Sequence, residues 1–394
     1  MFFGYVFFEI LFFKMMYQVP TIKTSVPVEN SALPQLPVAW YVDPTIYALE
    51  EEFLFSHTPK YVGSALMVPE IGDYYVLDWQ NQANMLVHDK NGVHLMSNVC
   101  RHRQALMMNG KGKARNIVCP LHRWTYDLEG KLLGAPHFDE NPCLHLNKKT
   151  LQNWHGLLFD SPRNIAEELK NLNHAEAFDF SDYHLHSVQV DDYNFNWKTF
   201  IETYLEDYHV GPFHPGLNQF VDCDELSWEF GEHFSSQRVG FKTSQQLQKA
   251  TPIYQKWSGI ALARNGHQPP KHGAIWFAYY PFLMIEWYPE VLVISHLIPQ
   301  GVDKCQNVVE FYYPQDIALF EEEYVKAQQA AYVETAIEDN EICERMHQGR
   351  RALYAQGIDE RGPYQHPMET GLEHFHLWYR AQLEKHLPDH SFST

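Results

Sequence analysis

Short apolar runs alternate with turn-forming residues over residues 61–159, and this pattern predicts a small antiparallel β domain. The runs at 74–77, 85–87 and 156–159 are rich in Tyr, Val, Leu and Phe, and Asp, Asn and Gly separate them. Apolar runs of this length between such residues are typical of strands joined by tight turns. A stretch with helical character at 40–53 precedes this domain.

Residues 196–208 instead carry apolar side chains at the spacing of an α-helix. This stripe predicts an amphipathic helix with Asn196 as its N-cap. Glu206 and His209 lie three residues apart near its end, so we expect them to share a face. A Gly-Pro pair follows, which should end the helix and let His214 fold back toward His209. The apolar positions are Trp197, Phe200, Ile201, Tyr204, Leu205 and Tyr208.

These patterns divide the chain into four segments. The β domain occupies residues 61–160, and residues 161–394 form a larger domain in which the predicted helix, a β-rich region and a long helical part indicate an α+β fold. Residues 17–60 are expected to pack on the larger domain. Residues 1–16 begin with a thirteen-residue apolar run that is too short to span a bilayer. We interpret them as an extension ahead of the true start, with a membrane-surface anchor as the alternative.

Composition and charge narrow the function classes. The chain has 394 residues, 45% of them hydrophobic, which is enough for two domains with a large core. Its formal net charge of −19 argues against binding nucleic acid or an anionic membrane face, and it suits a basic redox partner or a cationic substrate. The six cysteines are scattered, so we expect no disulfide framework and a reducing, cytoplasmic location.

Two short motifs carry the strongest chemical signal. Cys100-Arg-His102 and Cys119-Pro-Leu-His122 are sixteen residues apart, and each supplies one thiolate and one imidazole. Zinc sites of the finger type usually pair two Cys on one loop with two His on a helix. A [2Fe–2S] cluster with two Cys on one iron and two His on the other needs one of each from both loops. The motifs therefore predict a [2Fe–2S] cluster, and a structural zinc site is the weaker alternative.

The sequence around these motifs resembles a known family. Residues 98–104 and 119–130 resemble the cluster-binding loops of Rieske proteins, and specifically of the Rieske non-haem iron oxygenases. The family usually has Gly at the positions of Gln104 and Arg123, where glycine lets the backbone turn tightly around the cluster. All four ligand positions carry the expected Cys or His. The resemblance implies a Rieske domain beside an α+β catalytic domain of the helix-grip type.

The same resemblance implies a second metal site. Two His and one carboxylate form the facial triad of mononuclear non-haem Fe(II) oxygenases. The family's third-ligand helix resembles residues 338–349, which places the iron ligands at His209, His214 and Asp339. The residues alone leave Glu338 and Glu334 open as the carboxylate, because the region is acidic throughout.

Glu206 takes the position of the family's acidic residue that links the cluster of one subunit to the iron of its neighbour. Ring-dihydroxylating members usually have Asp there. Glu is more similar to members that act on quaternary ammonium compounds.

An aromatic run at 273–296 allows two interpretations. Its rings could form a cage that binds a quaternary ammonium group by cation–π attraction, or they could simply be core. The residues are Trp276, Phe277, Tyr279, Tyr280, Phe282, Trp287 and Tyr288.

The resemblance implies a terminal oxygenase that uses O2 to hydroxylate a small organic substrate, with demethylation of a quaternary ammonium compound as one form. Because the chain has no Gly-x-Gly-x-x-Gly and no ferredoxin-type Cys spacing, a separate NAD(P)H-dependent flavin/iron–sulfur reductase or a ferredoxin should supply its electrons. A homotrimer is the expected assembly. The alternatives are a dioxygenase that forms cis-diols on aromatic rings and an electron-transfer protein with a degenerate second domain.

Overall fold

The computed structural model describes residues 34–242 and 244–387, so the prediction for residues 1–16 lies outside the described residues. The first described elements are helical, as expected for 40–53. They are α1 (Ala39–Val42), α2 (Pro44–Leu49) and a π-helical segment (Glu50–Phe55). Asp43 caps α2 by accepting a hydrogen bond from the Thr45 N–H, and Pro44 fills its first position. Trp40 and Tyr41 pack in one core with residues of the larger domain.

Antiparallel strands fill the region that was predicted to be a β domain. In chain order they are β1 (Lys60–Ser64), β2 (Asp73–Val76), β3 (Asn84–Asp89), β4 (Gly92–Ser97), β5 (Lys111–Lys113), β6 (Asn116–Val118), β7 (Thr125–Asp127), β8 (Leu132–Gly134), β9 (Lys148–Thr150), β10 (Gln152–Trp154) and β11 (Leu157–Asp160). They form three sheets, with strand orders β5-β2-β3-β4-β9, β6-β7-β8 and β1-β11-β10. The expected small antiparallel β domain is therefore confirmed.

The larger part of the molecule is built on one antiparallel sheet of seven strands, in the order β12-β18-β17-β16-β15-β14-β13. Its strands are β12 (Tyr183–Tyr193), β13 (Val221–Gly231), β14 (Phe234–Phe241), β15 (Ala274–Tyr279), β16 (Leu283–Tyr288), β17 (Val291–Pro299) and β18 (Cys305–Pro314). The helices around it are α3 (Ile165–Glu168), α4 (Trp197–Tyr204), α5 (Val210–Phe213), α6 (Ser244–Leu247), α7 (Pro252–Arg264), α8 (Gln315–Phe320), α9 (Glu322–Ala355) and α10 (Thr370–Leu383). This mixture confirms the predicted α+β class.

The two faces of this sheet bury different side chains because successive residues of a strand point to opposite sides. Phe277 and Tyr279 face the small sheet β1-β11-β10, and Tyr61 of that sheet donates a hydrogen bond to the Glu310 carboxylate at 2.8 Å. Trp276 and Tyr288 belong to the core on the opposite face, which includes residues of α7 and α9. The space between this second face and the helices is where the candidate active site lies.

Two further findings concern the described residues. The cysteines at 100, 119, 143, 223, 305 and 343 are all free. Within residues 34–242 and 244–387, no helix is both long and apolar enough to cross a membrane.

Candidate metal centres and active-site cavity

The two Cys-His loops share one backbone geometry. In both loops the Cys N–H donates to the carbonyl five residues further on, at 2.9 Å, and the Cys100 and Cys119 carbonyls accept from Gln104 and Arg123 at 3.1 Å. Gln104 and Arg123 have φ values of 54° and 62°, in the left-handed region. A side chain there costs about 1–2 kcal/mol that glycine avoids. The loops therefore keep the tight turn at the two positions where the chain departs from the family's glycines.

The side chains of these loops fit the predicted cluster. Cys100 and Cys119 are buried, and the rings of His102 and His122 lie beside each other with their centroids 4.6 Å apart. The Nδ1 atom of His102 is buried and has no hydrogen-bond partner among the described residues, and Trp124 stacks on its ring at 4.8 Å. Two buried thiols and two adjacent imidazoles, one of which has a ring nitrogen without a partner among the described residues, form a donor set that suits a [2Fe–2S] cluster.

The helix that was predicted to carry Glu206 and His209 ends earlier than expected. Asn196 caps α4 as predicted, through a hydrogen bond from the Lys198 N–H to its side chain, but α4 stops at Tyr204. The Asp207 N–H, which would bond to the Thr203 carbonyl if the helix continued, donates to the Met368 carbonyl instead. A contact from a distant segment thus overrides the local periodicity.

Glu206 and His209 consequently share a turn, and not a helix face. The Glu206 carboxylate accepts from both the His209 N–H, at 3.0 Å, and the ring Nδ1, at 2.5 Å. Gly211 and Pro212 do not end a helix either, because they lie inside the one-turn helix α5, where proline needs no N–H donor. That short helix returns His214 to His209, with ring centroids 4.9 Å apart.

The three residues expected to bind iron meet at one point. Nε2 of His214 lies 3.1 Å from Oδ1 of Asp339, and Nε2 of His209 lies 3.5 Å from the same oxygen. One ligand atom from each of the three lies within 4.8 Å of the others. A partly exposed carboxylate facing two imidazole nitrogens is the donor set of a mononuclear non-haem iron site, and these residues fit the metal.

The charges within this triad are mutually stabilising. Burial by itself lowers the pKa of His209, but hydrogen bonds to Asp339 and Glu206 outweigh it and raise the pKa to about 10. Burial likewise raises the pKa of Asp339, and its bonds to the two histidines lower it to about 2. The carboxylate is therefore ionised, and a metal cation would take the place of the imidazole protons.

The structure distinguishes the three carboxylates that the sequence allowed as the third iron ligand. Asp339 faces both histidines, whereas Glu338 accepts from Nδ1 of His214 at 2.7 Å. Glu334 accepts from the Thr251 hydroxyl at 2.7 Å. A carboxylate on the far nitrogen of a metal-binding His fixes the ring and raises its basicity. Glu338 is a residue whose role the sequence did not indicate.

We expect Glu338→Gln to weaken Fe(II) binding about 10- to 100-fold, because the neutral amide holds the His214 ring less firmly. Titration of the iron-free protein with Fe(II) against a competing chelator measures this. Glu334→Gln removes a nearby acid of the same helix that does not touch His214, and it should leave the affinity unchanged. An Fe(II) affinity of Glu338→Gln within twofold of the wild type would contradict the assigned role.

A cavity opens beside the triad and encloses about 870 Å³ of empty space, including its mouth. Of the seven aromatic residues proposed as a cage, only Trp276 and Tyr288 are among its lining residues. The others pack in the core clusters on the opposite face of the sheet or beyond its end. Successive side chains of a strand point to opposite faces of the sheet, so neighbouring aromatic residues cannot all face the cavity. The sheet also contributes Gln237 and Glu286 to the cavity, and their only sequence signal was one polar residue inside a buried strand.

The two donor sets define an oxygen-activating iron enzyme with an iron–sulfur centre, and comparison with known proteins agrees. Residues 60–161 match the model of the Rieske [2Fe-2S] domain, and residues 176–385 match that of the ring hydroxylating alpha subunit (catalytic domain). The chain belongs to the Rieske non-haem iron oxygenases. It takes electrons from a separate reductase or ferredoxin and works as a multimer, as alpha subunits of this family do.

Individual relatives cover nearly the whole chain. It is 57% identical to putrescine 2-hydroxylase of Ralstonia nicotianae over 89% of this chain and 96% of the relative. It is 50% identical to putrescine 2-hydroxylase of Bordetella bronchiseptica over 89% and 84%. The structure of the quaternary ammonium Rieske monooxygenase CntA with L-carnitine shares the fold, with a TM-score of 0.69 at 19% identity over 89% of this chain and 96% of that one.

Proposed function

We propose that this chain is the terminal oxygenase that hydroxylates a small aliphatic diamine, with putrescine as the first candidate and its second carbon as the target. The 57% identity to a putrescine 2-hydroxylase over 96% of that protein carries the proposal. The reaction converts a C–H bond to C–OH: one atom of O2 enters the product, and the other leaves as water after two electrons and two protons are supplied.

The proposed roles follow from the donor sets. Cys100, His102, Cys119 and His122 hold the [2Fe–2S] cluster. His209, His214 and Asp339 hold the mononuclear Fe(II). When bound, these centres supply electron relay and O2 chemistry respectively. Glu206 fixes the His209 ring through Nδ1.

In the proposed homotrimer, Glu206 also connects the iron site with the cluster of the adjacent subunit. A flavin/iron–sulfur reductase that oxidises NAD(P)H is the proposed donor.

The lining of the cavity supports a cationic substrate. Besides Asp339 and Glu206, it contains the carboxyl groups of Asp207 and Glu286. None of its lining residues among the described part of the chain is Lys or Arg. A cavity that gathers acidic groups and aromatic rings without cationic side chains attracts ammonium groups and repels anions.

A single-turnover reaction tests this proposal without the reductase. The protein is reduced with dithionite under argon, desalted, mixed with putrescine, and exposed to ¹⁸O2. We expect a product 18 mass units heavier than putrescine, because one ¹⁸O atom is inserted into a C–H bond and no other atom is lost.

Choline and naphthalene are tested as alternative substrates in separate, parallel reactions. Formaldehyde release from choline would instead support demethylation of a quaternary ammonium compound, and a diol with two ¹⁸O atoms would support the aromatic dioxygenase alternative. Turnover of either, with no hydroxylated putrescine, would contradict the diamine proposal.

A further inference from the structure

One row of side chains crosses three neighbouring strands on the cavity side of the sheet. Gln237 of β14 pairs with Trp276 of β15, and Trp276 pairs with Glu286 of β16. Residues paired directly across antiparallel strands point to the same face. All three line the cavity that also contains His209 and Asp339. The row thus places a carboxyl group, an indole ring and an amide together beside the iron site.

Glu286 is a buried acid without a cationic partner. Its side chain accepts a hydrogen bond from the Tyr288 hydroxyl at 2.8 Å, and that hydroxyl accepts from Trp276 Nε1 at 2.9 Å. No Lys, Arg or His of residues 34–242 and 244–387 forms an ion pair with it. Burial raises the pKa of Glu286 to about 7. A buried carboxylate is costly unless a cation accompanies it, so this position favours a bound cation.

Gln237 supplies a second acceptor to the same space. Its Nε2 donates to the Tyr204 backbone carbonyl at 3.3 Å, which fixes the orientation of the amide. Its Oε1 is buried and has no hydrogen-bond donor among the described residues. Buried acceptors are normally satisfied, so an unpartnered one that lines a cavity indicates a donor supplied by a ligand.

We infer that Glu286 and Gln237 together bind one terminal ammonium group of the substrate, with the carboxylate as the counter-charge and the amide oxygen as a second acceptor. This inference rests on the proposed function. The rings of Trp276 and Tyr288 complete the site by cation–π attraction.

A primary ammonium has three N–H donors and satisfies both acceptors. A quaternary ammonium has none, so this site favours primary amines over choline-like compounds. Holding one end of a diamine here also fixes which carbon faces the iron.

The chain contains a matched control for Glu286. Glu310 of β18 is also buried, its pKa is also raised to about 7 by burial, and it also accepts from tyrosine hydroxyls, those of Tyr61 and Tyr312. It lies on the opposite face of the sheet and is not among the residues that line the cavity. Glu310→Gln therefore makes the same chemical change to a buried acid away from the proposed site.

Binding measured without turnover tests the inference. Putrescine is titrated into the anaerobic, iron-loaded enzyme in a calorimeter, for the wild type, Glu286→Gln, Gln237→Met and Glu310→Gln. We expect Glu286→Gln to raise the putrescine Kd about 10- to 100-fold, because it removes the negative counter-charge of the ammonium group, and Gln237→Met to raise it about 3- to 10-fold, because it removes the second acceptor. Glu310→Gln should stay within threefold of the wild type.

Steady-state kinetics provide the second measurement. The substitution Glu286→Gln should raise KM more than it lowers kcat, since the ammonium lies away from the reacting carbon. Cluster absorption and thermal unfolding establish that each variant is folded, and Gln237→Met carries the test if Glu286→Gln is not.

The possible failures are distinguishable. A wild type that neither binds nor hydroxylates putrescine overturns the proposed function and this assignment with it. A wild type that hydroxylates putrescine, together with folded variants whose Kd stays within threefold, overturns the assignment alone. An equal rise in Kd for Glu310→Gln also overturns it, because the effect would then be structural.

Discussion

Asp339→Ala is expected to abolish hydroxylation, with a loss of at least about 10³-fold, and to lower the iron content from about three to about two per chain. The reason is that Asp339 provides the only oxygen that both His209 and His214 face within the described residues. Acid-labile sulfide and the cluster absorption should stay unchanged, because the cluster loops lie in the other domain. Iron, sulfide and product are measured on the same preparation.

Glu341→Ala is the matched control for this variant. Glu341 is an exposed acid of the same helix, α9, and its side chain pairs with Arg345. Surface pairs of this kind contribute little, so activity and iron content should match the wild type. If Asp339→Ala retained three irons per chain, the carboxylate ligand would have to be another residue.

Cys119→Ser is expected to remove the cluster and stop catalysis that depends on the reductase, while one iron per chain remains. A serine hydroxyl stays protonated where the cluster needs a thiolate, and Cys119 is buried in its loop with no substitute donor close by in the sequence. Sulfide content should fall to near zero and the visible absorption should disappear. The control variant Cys143→Ser changes an exposed cysteine of the same domain, and it should keep both the sulfide content and the visible absorption.

Combining the two inactive chains tests the proposed route between subunits. If the cluster of one chain serves the iron of its neighbour, coexpressed Asp339→Ala and Cys119→Ser chains should assemble into mixed multimers with about a quarter of the wild-type activity, since about one interface in four joins an intact cluster to an intact iron site. Homogeneous preparations that are mixed without exchange of subunits provide the baseline. Mixed multimers without activity would contradict the proposed role of Glu206.

The donor residues of the two predicted centres lie partly in segments whose shape depends on local sequence. The Cys-His loops, residues 100–105 and 119–124, each close on themselves through their own backbone bonds, so their shape depends on local sequence. The helical character of residues 338–349 also followed from sequence, and α9 contains them. The end of α4 did not, because Asp207 bonds to Met368, more than 150 residues away.

The aromatic run shows the same limit. Seven rings in one segment could not be sorted into cavity and core without knowing which face of each strand meets the helices, and only Trp276 and Tyr288 lie on the cavity face. A shift of one residue in register would exchange the two sets.

By itself, the sequence determined the α+β class and the two motifs that carry thiol and imidazole donors, and it predicted that His214 folds back toward His209, since these depend on patterns within short segments. The tertiary structure alone decided that Glu338 bonds to His214 and that Gln237 and Glu286 lie on either side of Trp276 on one face of the sheet. Those contacts join positions far apart in the chain. Their geometry is fixed by strand register and helix packing, which arise only when distant segments bury their apolar faces against each other.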